Sequence, residues 1–164
     1  MMAGECWRVL LDSVPGFRST LVRKVIHCGM RDVNDLERSR VEASDMGVVW
    51  GDSTKKVDFE SGLRKQMYAR FGAENDAAAL VHLDLDSLDS ALGKANPFAS
   101  PGGLLEEDMA GCMAAISEKT VPLAFTIAAF DPLCDGDDSA LRLAAVAINA
   151  VERVLNGLKA RGLF

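Results

Sequence analysis

The chain has 164 residues, of which 49% are hydrophobic and 26% charged, with a net charge of -6. That length suits one domain with a substantial core, and the acidic balance excludes the surplus of Lys and Arg on which phosphate binding depends, so no nucleic-acid partner is expected. No apolar run approaches the roughly 20 residues of a membrane helix, and Met1 to Arg8 carries Glu5 without the apolar core of a secretory signal; a cytoplasmic protein with no membrane partner is expected.

Apolar runs alternate with helical patterns along the chain, which predicts an α/β fold with a mostly parallel sheet. Val25-Ile26-His27-Cys28 reads as a short strand stopped by Gly29, and Val48-Val49-Trp50 as another between Gly47 and Gly51. Phe59, Leu63, Met67 and Phe71, spaced by four, predict a helix with one buried face. Ala78 to Leu85 is nearly continuous in apolar residues, as in a strand buried on both sides. Asn96 to Gly103 reads as a Pro-, Gly- and Ser-rich loop beyond that strand, placed to wall a ligand site or simply to connect elements.

Leu105 to Lys119 reads as a helix whose opening acids, Glu106, Glu107 and Asp108, suit the positive end of its dipole. Leu123 to Phe130 predicts the last strand, broken by Pro132. A C-terminal helix follows, capped by Asp137, Asp138 or Ser139, with Leu141, Ala144, Ala145, Ile148, Val151, Leu155 and Leu158 on its buried stripe. His27 and His82 lie in apolar runs and are expected in or at the edge of the core. Cys6, Cys28, Cys112 and Cys134 are scattered without a Cys-x-x-Cys pair, so structural zinc is not expected and the thiols read as buried or incidental.

The chemistry-bearing segment is Val81-His82-Leu83-Asp84-Leu85-Asp86-Ser87-Leu88-Asp89. On an extended strand Asp84 and Asp86 share a face about 7 Å apart. Two carboxylates so close at a buried strand end repel, and a shared proton, a basic side chain or a hard cation such as magnesium or manganese relieves them. Hydration at an exposed strand end is the alternative. An EF-hand is excluded, because Leu88 and Asp89 stand where the loop needs an oxygen ligand and Gly.

Four pieces in order resemble the ureohydrolases, the family of arginase, agmatinase and formiminoglutamase. Gly29-Met30-Arg31-Asp32-Val33 resembles the Gly-x-Arg-Asp strand end, and His82 to Asp89 the Asp-x-Asp-x-x-Asp metal motif. Pro101-Gly102-Gly103-Leu104 is similar to the turn opening the next helix, and Phe130-Asp131-Pro132 lies where the family has Glu-x-Asn-Pro or Glu-x-Asp-Pro. Gly4-Glu5-Cys6-Trp7 and Pro15-Gly16-Phe17 resemble the helical stretch after the family's first metal motif. The resemblance implies a truncated three-layer α/β/α arginase-like fold, with residues 1–164 as the C-terminal portion of that domain.

It further implies a manganese-dependent hydrolase of linear amidines, acting on small guanidino or formimino compounds, and a homo-oligomer. Asp84 and Asp86 would be ligands of a binuclear manganese centre, with Asp89 orienting the turn. The family's glutamate that holds the guanidinium aligns with Ala129, and Asp131, two residues on, is the candidate to take over part of that role; capping a Pro-containing turn is its other reading. Asn34 stands where arginases carry an aspartate for the substrate's α-amino group, and Glu37 where they carry a further acid. The family's Gly-Gly-Asp-His and Asp-Ala-His-x-Asp motifs do not occur here, and two aspartates do not fill two six-coordinate shells. The chain alone is therefore expected to bind metal poorly and to be inactive. A non-catalytic half-domain that associates with a full-length subunit is the alternative. A weaker one is a haloacid-dehalogenase-type phosphatase, whose nucleophile motif Asp84-Leu85-Asp86-Ser87-Leu88 also resembles.

Overall fold

The computed structural model describes residues 8–18, 21–73 and 75–163. Strands β1 (Ile26–Met30) and β2 (Gly47–Trp50) pair in parallel, as do β3 (Ala77–Asp84) and β4 (Thr120–Ala128). Five helices accompany them: α1 (Arg8–Asp12), α2 (Asp35–Glu42), α3 (Phe59–Phe71), α4 (Glu106–Lys119) and α5 (Asp137–Ala160). Parallel neighbours need a crossover, and α2 and α4 supply one to each pair. The parallel α/β architecture read from the sequence is the one present; the opening Gly4 to Trp7 lies outside the described residues.

One apolar core joins the elements. Phe59, Leu63 and Met67 of α3 meet Val49 of β2, Val81 and Leu83 of β3, and Met109, Cys112 and Met113 of α4. Helix α3 has the predicted bounds, because the four-residue spacing is reinforced by Asp58, whose carboxylate accepts from the Ser61 amide at the first turn. Asp108 does the same service at α4, accepting from the Leu105 amide at 3.0 Å.

Several expectations need correcting. Strand β3 is buried on one side only: Val81 and Leu83 face the helices, whereas Leu80 is 63% exposed and His82 is exposed. No described element covers the second side, to which Leu123 and Ile127 of β4 also contribute exposed apolar surface. Neither histidine is in the core; His27 is exposed as well. Gly29 does not stop β1 but lies within it, at φ +87 and at a register shift against β2. Strand β4 ends at Ala128, before Phe130, because Ala129 turns the chain at φ 61.

Helix α5 buries a different stripe from the one its periodicity suggested. Leu143, Val146, Ala147, Ala150, Val154 and Leu158 are buried, while Leu141 and Ile148 are exposed. Apolar residues occupy more than half of its circumference, so spacing alone does not choose the inward side; packing on α4 does. The N-cap position of α5 is Gly136, at φ +85, which makes no side-chain cap hydrogen bond. The Ser139 hydroxyl donates instead to Asp135.

Candidate functional site

Both carboxylates of the acidic segment line one cavity of about 360 Å³ at the carboxyl ends of β1 and β3. They reach it differently from the extended geometry expected. The strand ends at Asp84, and Leu85–Ser87 forms a 3-10 turn. Asp84 Oδ1 accepts from the Asp86 amide at 2.9 Å, which holds the turn closed. Asp86 Oδ1 is buried without a hydrogen-bond partner. A buried carboxylate oxygen left unpaired is costly, and a proton, a water or a cation removes that cost.

Arg31 organises the wall. Its five N–H donors serve five carbonyls: Nε donates to Pro101 at 3.1 Å, Nη1 to Gly29 at 3.2 Å and Asp86 at 2.9 Å, and Nη2 to Leu88 at 2.8 Å and Ser100 at 2.6 Å. One side chain thus fastens the ends of β1 and β3 to the Pro-Gly-Gly loop. Burial lowers the Arg31 pKa, opposed by the negative charges of Asp86, Asp89 and Asp32. The guanidinium supplies these acids with positive charge but has no donor left for a ligand.

Asp89 completes the frame. Its Oδ2 accepts from the amides of Gly102 at 2.7 Å and Gly103 at 3.2 Å, and its Oδ1 from Ala91 at 2.8 Å. Gly103 has no room for a side chain: a Cβ there would lie 2.6 Å from both the Leu88 carbonyl carbon and the Ser87 oxygen. Leu104 donates to Ser87 at 3.0 Å and accepts from Asp89 at 2.9 Å, so the loop runs beside the turn as a short parallel bridge.

Asp131 and Asn34 lie elsewhere than on this cavity's wall. Asp131 Oδ1 accepts from the Leu133 amide at 2.9 Å, in the Pro132 turn. Asn34 caps α2, accepting from Glu37 at 2.9 Å, while the Glu37 carboxylate accepts from the Asn34 amide at 3.1 Å. His82 pairs with Thr126 at 2.6 Å on the uncovered side of β3. His27 lines the cavity, and desolvation lowers its pKa. Asp32, at φ 52, is a third acid on the cavity wall. Sequence reading passed over it, although the Gly-x-Arg-Asp pattern contained it.

The match to known proteins agrees with this arrangement. The model of the arginase family matches residues 14–152, which is most of the chain. The chain belongs to the arginase family. Membership decides between the two resemblances that Asp84 to Leu88 carries, in favour of the ureohydrolase one. A search of the curated proteins returned no match. Among solved structures, an arginase from Entamoeba histolytica in complex with L-ornithine superposes with a TM-score of 0.66 at 12% identity, over 84% of this chain and 45% of that one. A formimidoylglutamase from Bacillus subtilis gives 0.63 at 17% identity, over 79% and 39%. The proclavaminate amidino hydrolase of Streptomyces clavuligerus gives 0.56 at 20%, over 80% and 41%. At these identities the likeness is one of fold, and this arginase-family chain spans less than half the length of each of the three.

Among the described residues, no three His, Cys, Asp or Glu side chains are grouped to hold a metal ion. Asp84 and Asp86 share a cavity and one oxygen of Asp86 is unpaired, but these donors do not by themselves make a metal site. No described helix is long and apolar enough to cross a membrane.

Proposed function

We propose that this chain carries two ligands, Asp84 and Asp86, of a manganese centre in a hydrolase of linear amidines, and that donors outside the chain complete it. The unpaired, buried Oδ1 of Asp86 on a cavity shared with Asp84 supports this reading most directly. In a complete centre of this kind Asp84 and Asp86 would help hold manganese, which would supply an acidified water for hydrolysis of an amidine. This chain's residues contribute the fixed carboxylates, held by Arg31 and Asp89, and no step of the reaction is assigned to it alone. Asp131 and Asn34 enter the proposal as substrate-facing residues only after rearrangement, since both now serve local turns. A guanidino or formimino compound is the proposed substrate, and a cytoplasmic setting is part of the same reading.

Manganese titration of the whole chain, followed by the loss of the free-ion paramagnetic resonance signal, tests the site. Weak, saturable uptake that disappears in Asp84→Asn and Asp86→Asn is expected. Equal uptake by the wild type and the double variant sinks the assignment.

A second reading, association with a full-length subunit without catalysis, is favoured by the uncovered side of β3 and β4. Leu80 and Leu123 are 63% and 70% exposed there, and paired strands are more stable when both sides are packed. Sedimentation of the chain mixed with a full-length arginase-family subunit tests it: a dilution-resistant mixed complex supports the association, and independent sedimentation at all concentrations contradicts it.

A further inference from the structure

The cavity that holds Asp84 and Asp86 differs in character between its floor and its mouth, and the metal reading uses only the floor. At the floor Oδ1 of Asp86 is buried, with Asp84 and Asp32 on the same wall. At the mouth stands Phe98, 79% exposed, more than any other aromatic side chain among the described residues. Its loop is fixed on both sides. The Phe98 amide donates to Asn96 Oδ1 at 2.8 Å, the Ala95 carbonyl accepts from the Asp131 amide at 2.7 Å, and the Ser100 carbonyl accepts from Arg31. A ring on a loop so braced is placed without being covered, and contact with a bound molecule costs little further ordering of the chain. We propose that Phe98 packs against the tail of the bound amidine and selects apolar, uncharged tails over tails that end in a carboxylate. This rests on the reading of the cavity as an amidine site and goes beyond it by naming the class of tail.

Charge sets the direction in which the ligand enters. An amidinium is a cation and is drawn to the carboxylates of the floor, which leaves its substituent at the mouth. A carboxylate at the far end of that substituent needs a positive partner there. The two basic side chains on the cavity wall do not supply one. Arg31 spends its five N–H donors on backbone carbonyls, and burial lowers the pKa of His27, which leaves that ring uncharged at neutral pH. The acids that attract the amidinium also repel an anionic group on the same ligand. Asn34 and Asp131 are engaged in local turns away from the cavity. What the mouth offers is the face of Phe98, and an alkyl chain laid on it takes its methylenes out of water.

Titration of the full chain with butylguanidinium, and in parallel with its carboxylate counterpart γ-guanidinobutyrate, tests this when followed by NMR of the Phe98 ring and the Asp86 amide. Butylguanidinium is expected to bind the more tightly and to shift both signals. Phe98→Ala is expected to weaken it about tenfold, the equivalent of two methylenes left in water. Phe98→Tyr, which keeps the ring, is expected to leave it unchanged. Equal affinity of the wild type and Phe98→Ala for butylguanidinium overturns the role of Phe98, and equal or tighter binding of γ-guanidinobutyrate overturns the tail preference. In either case, butylguanidinium binding that is lost in Asp86→Asn leaves the amidine reading standing. A wild type that binds neither probe overturns that reading and the inference with it.

Discussion

The carbonyl of Asp86 accepts a hydrogen bond of 2.9 Å from Nη1 of Arg31, so an arginine after one strand holds the acidic turn after another. Because the same guanidinium serves four further carbonyls, a substitution strands several acceptors at once. Arg31→Lys keeps the charge but presents three donors from a single nitrogen, which do not span these positions. A loss of about 3 kcal/mol in urea unfolding is expected, from two or more unmet, partly buried carbonyls. A loss below about 0.5 kcal/mol, the range of an ordinary surface change, contradicts this role.

Gly103→Ala places a methyl group against backbone rather than against a flexible side chain. The contacts of 2.6 Å to Leu88 and Ser87 are relieved only by moving the loop away from the turn. A cost of about 2 kcal/mol is expected for such overpacking, with faster amide exchange at Leu104 and Asp89, which bond across this contact. Unchanged exchange at both amides argues against the loop being fastened there.

Asp52 provides a pH signature. Its Oδ1 accepts from the Thr54 amide at 2.8 Å and hydroxyl at 2.6 Å, and Lys55 is 3.4 Å from Oδ2. The Thr54 hydroxyl, then its amide, hold the Asp52 pKa down from 3.8 to about 2. A depressed folded pKa means that the unfolded chain binds the proton more tightly. The associated stability is therefore present above pH 3.8 and lost as pH falls toward 2. Carboxyl titration by NMR is expected to give about 2 for the wild type and a higher value for Thr54→Val; identical values for the two remove the assigned cause.

The two sides of the β3–β4 pair are expected to respond oppositely to truncation. Leu83 is 3% exposed, and Leu83→Ala is expected to cost about 2–5 kcal/mol by leaving a cavity. Leu123 is 70% exposed, so Leu123→Ser is expected to change stability by less than about 0.5 kcal/mol while raising solubility. Equal costs in thermal unfolding contradict the one-sided burial of this pair.

The sequence was most informative where local chemistry and packing agree. Phe59 to Phe71 carries both a four-residue apolar spacing and a capping Asp58, and that helix appears at its predicted bounds. Asp84 and Asp86 were recognisable as a pair because acids are rare at the end of an apolar strand, although the 3-10 turn joining them depends on an Asp84 to Asp86 hydrogen bond that alternation does not predict. Arg31 was visible only as one letter of a motif, since its carbonyl partners lie 55 to 70 positions away, apart from Gly29. The inward stripe of α5 and the bare side of β3 were missed for one reason. Both depend on which neighbour is present to cover an apolar surface, and a period does not carry that information.

The irregularity at Gly29 bears on what lengths this segment tolerates. Between Cys28 and Met30 the pairing on β2 advances by a single residue, from Val49 to Trp50, so Gly29 is one residue more than regular pairing requires. Its φ of +87 and a would-be Cβ 2.4 Å from Leu104 Cδ1 restrict the position to glycine. Deleting it would leave Met30 opposite Trp50 in a regular ladder but would remove the local bend and shorten the path into Arg31 by one residue. Arg31 would then meet its carbonyls from a shifted backbone, so single-residue deletions in Cys28 to Arg31 are expected to be tolerated less well than most substitutions there.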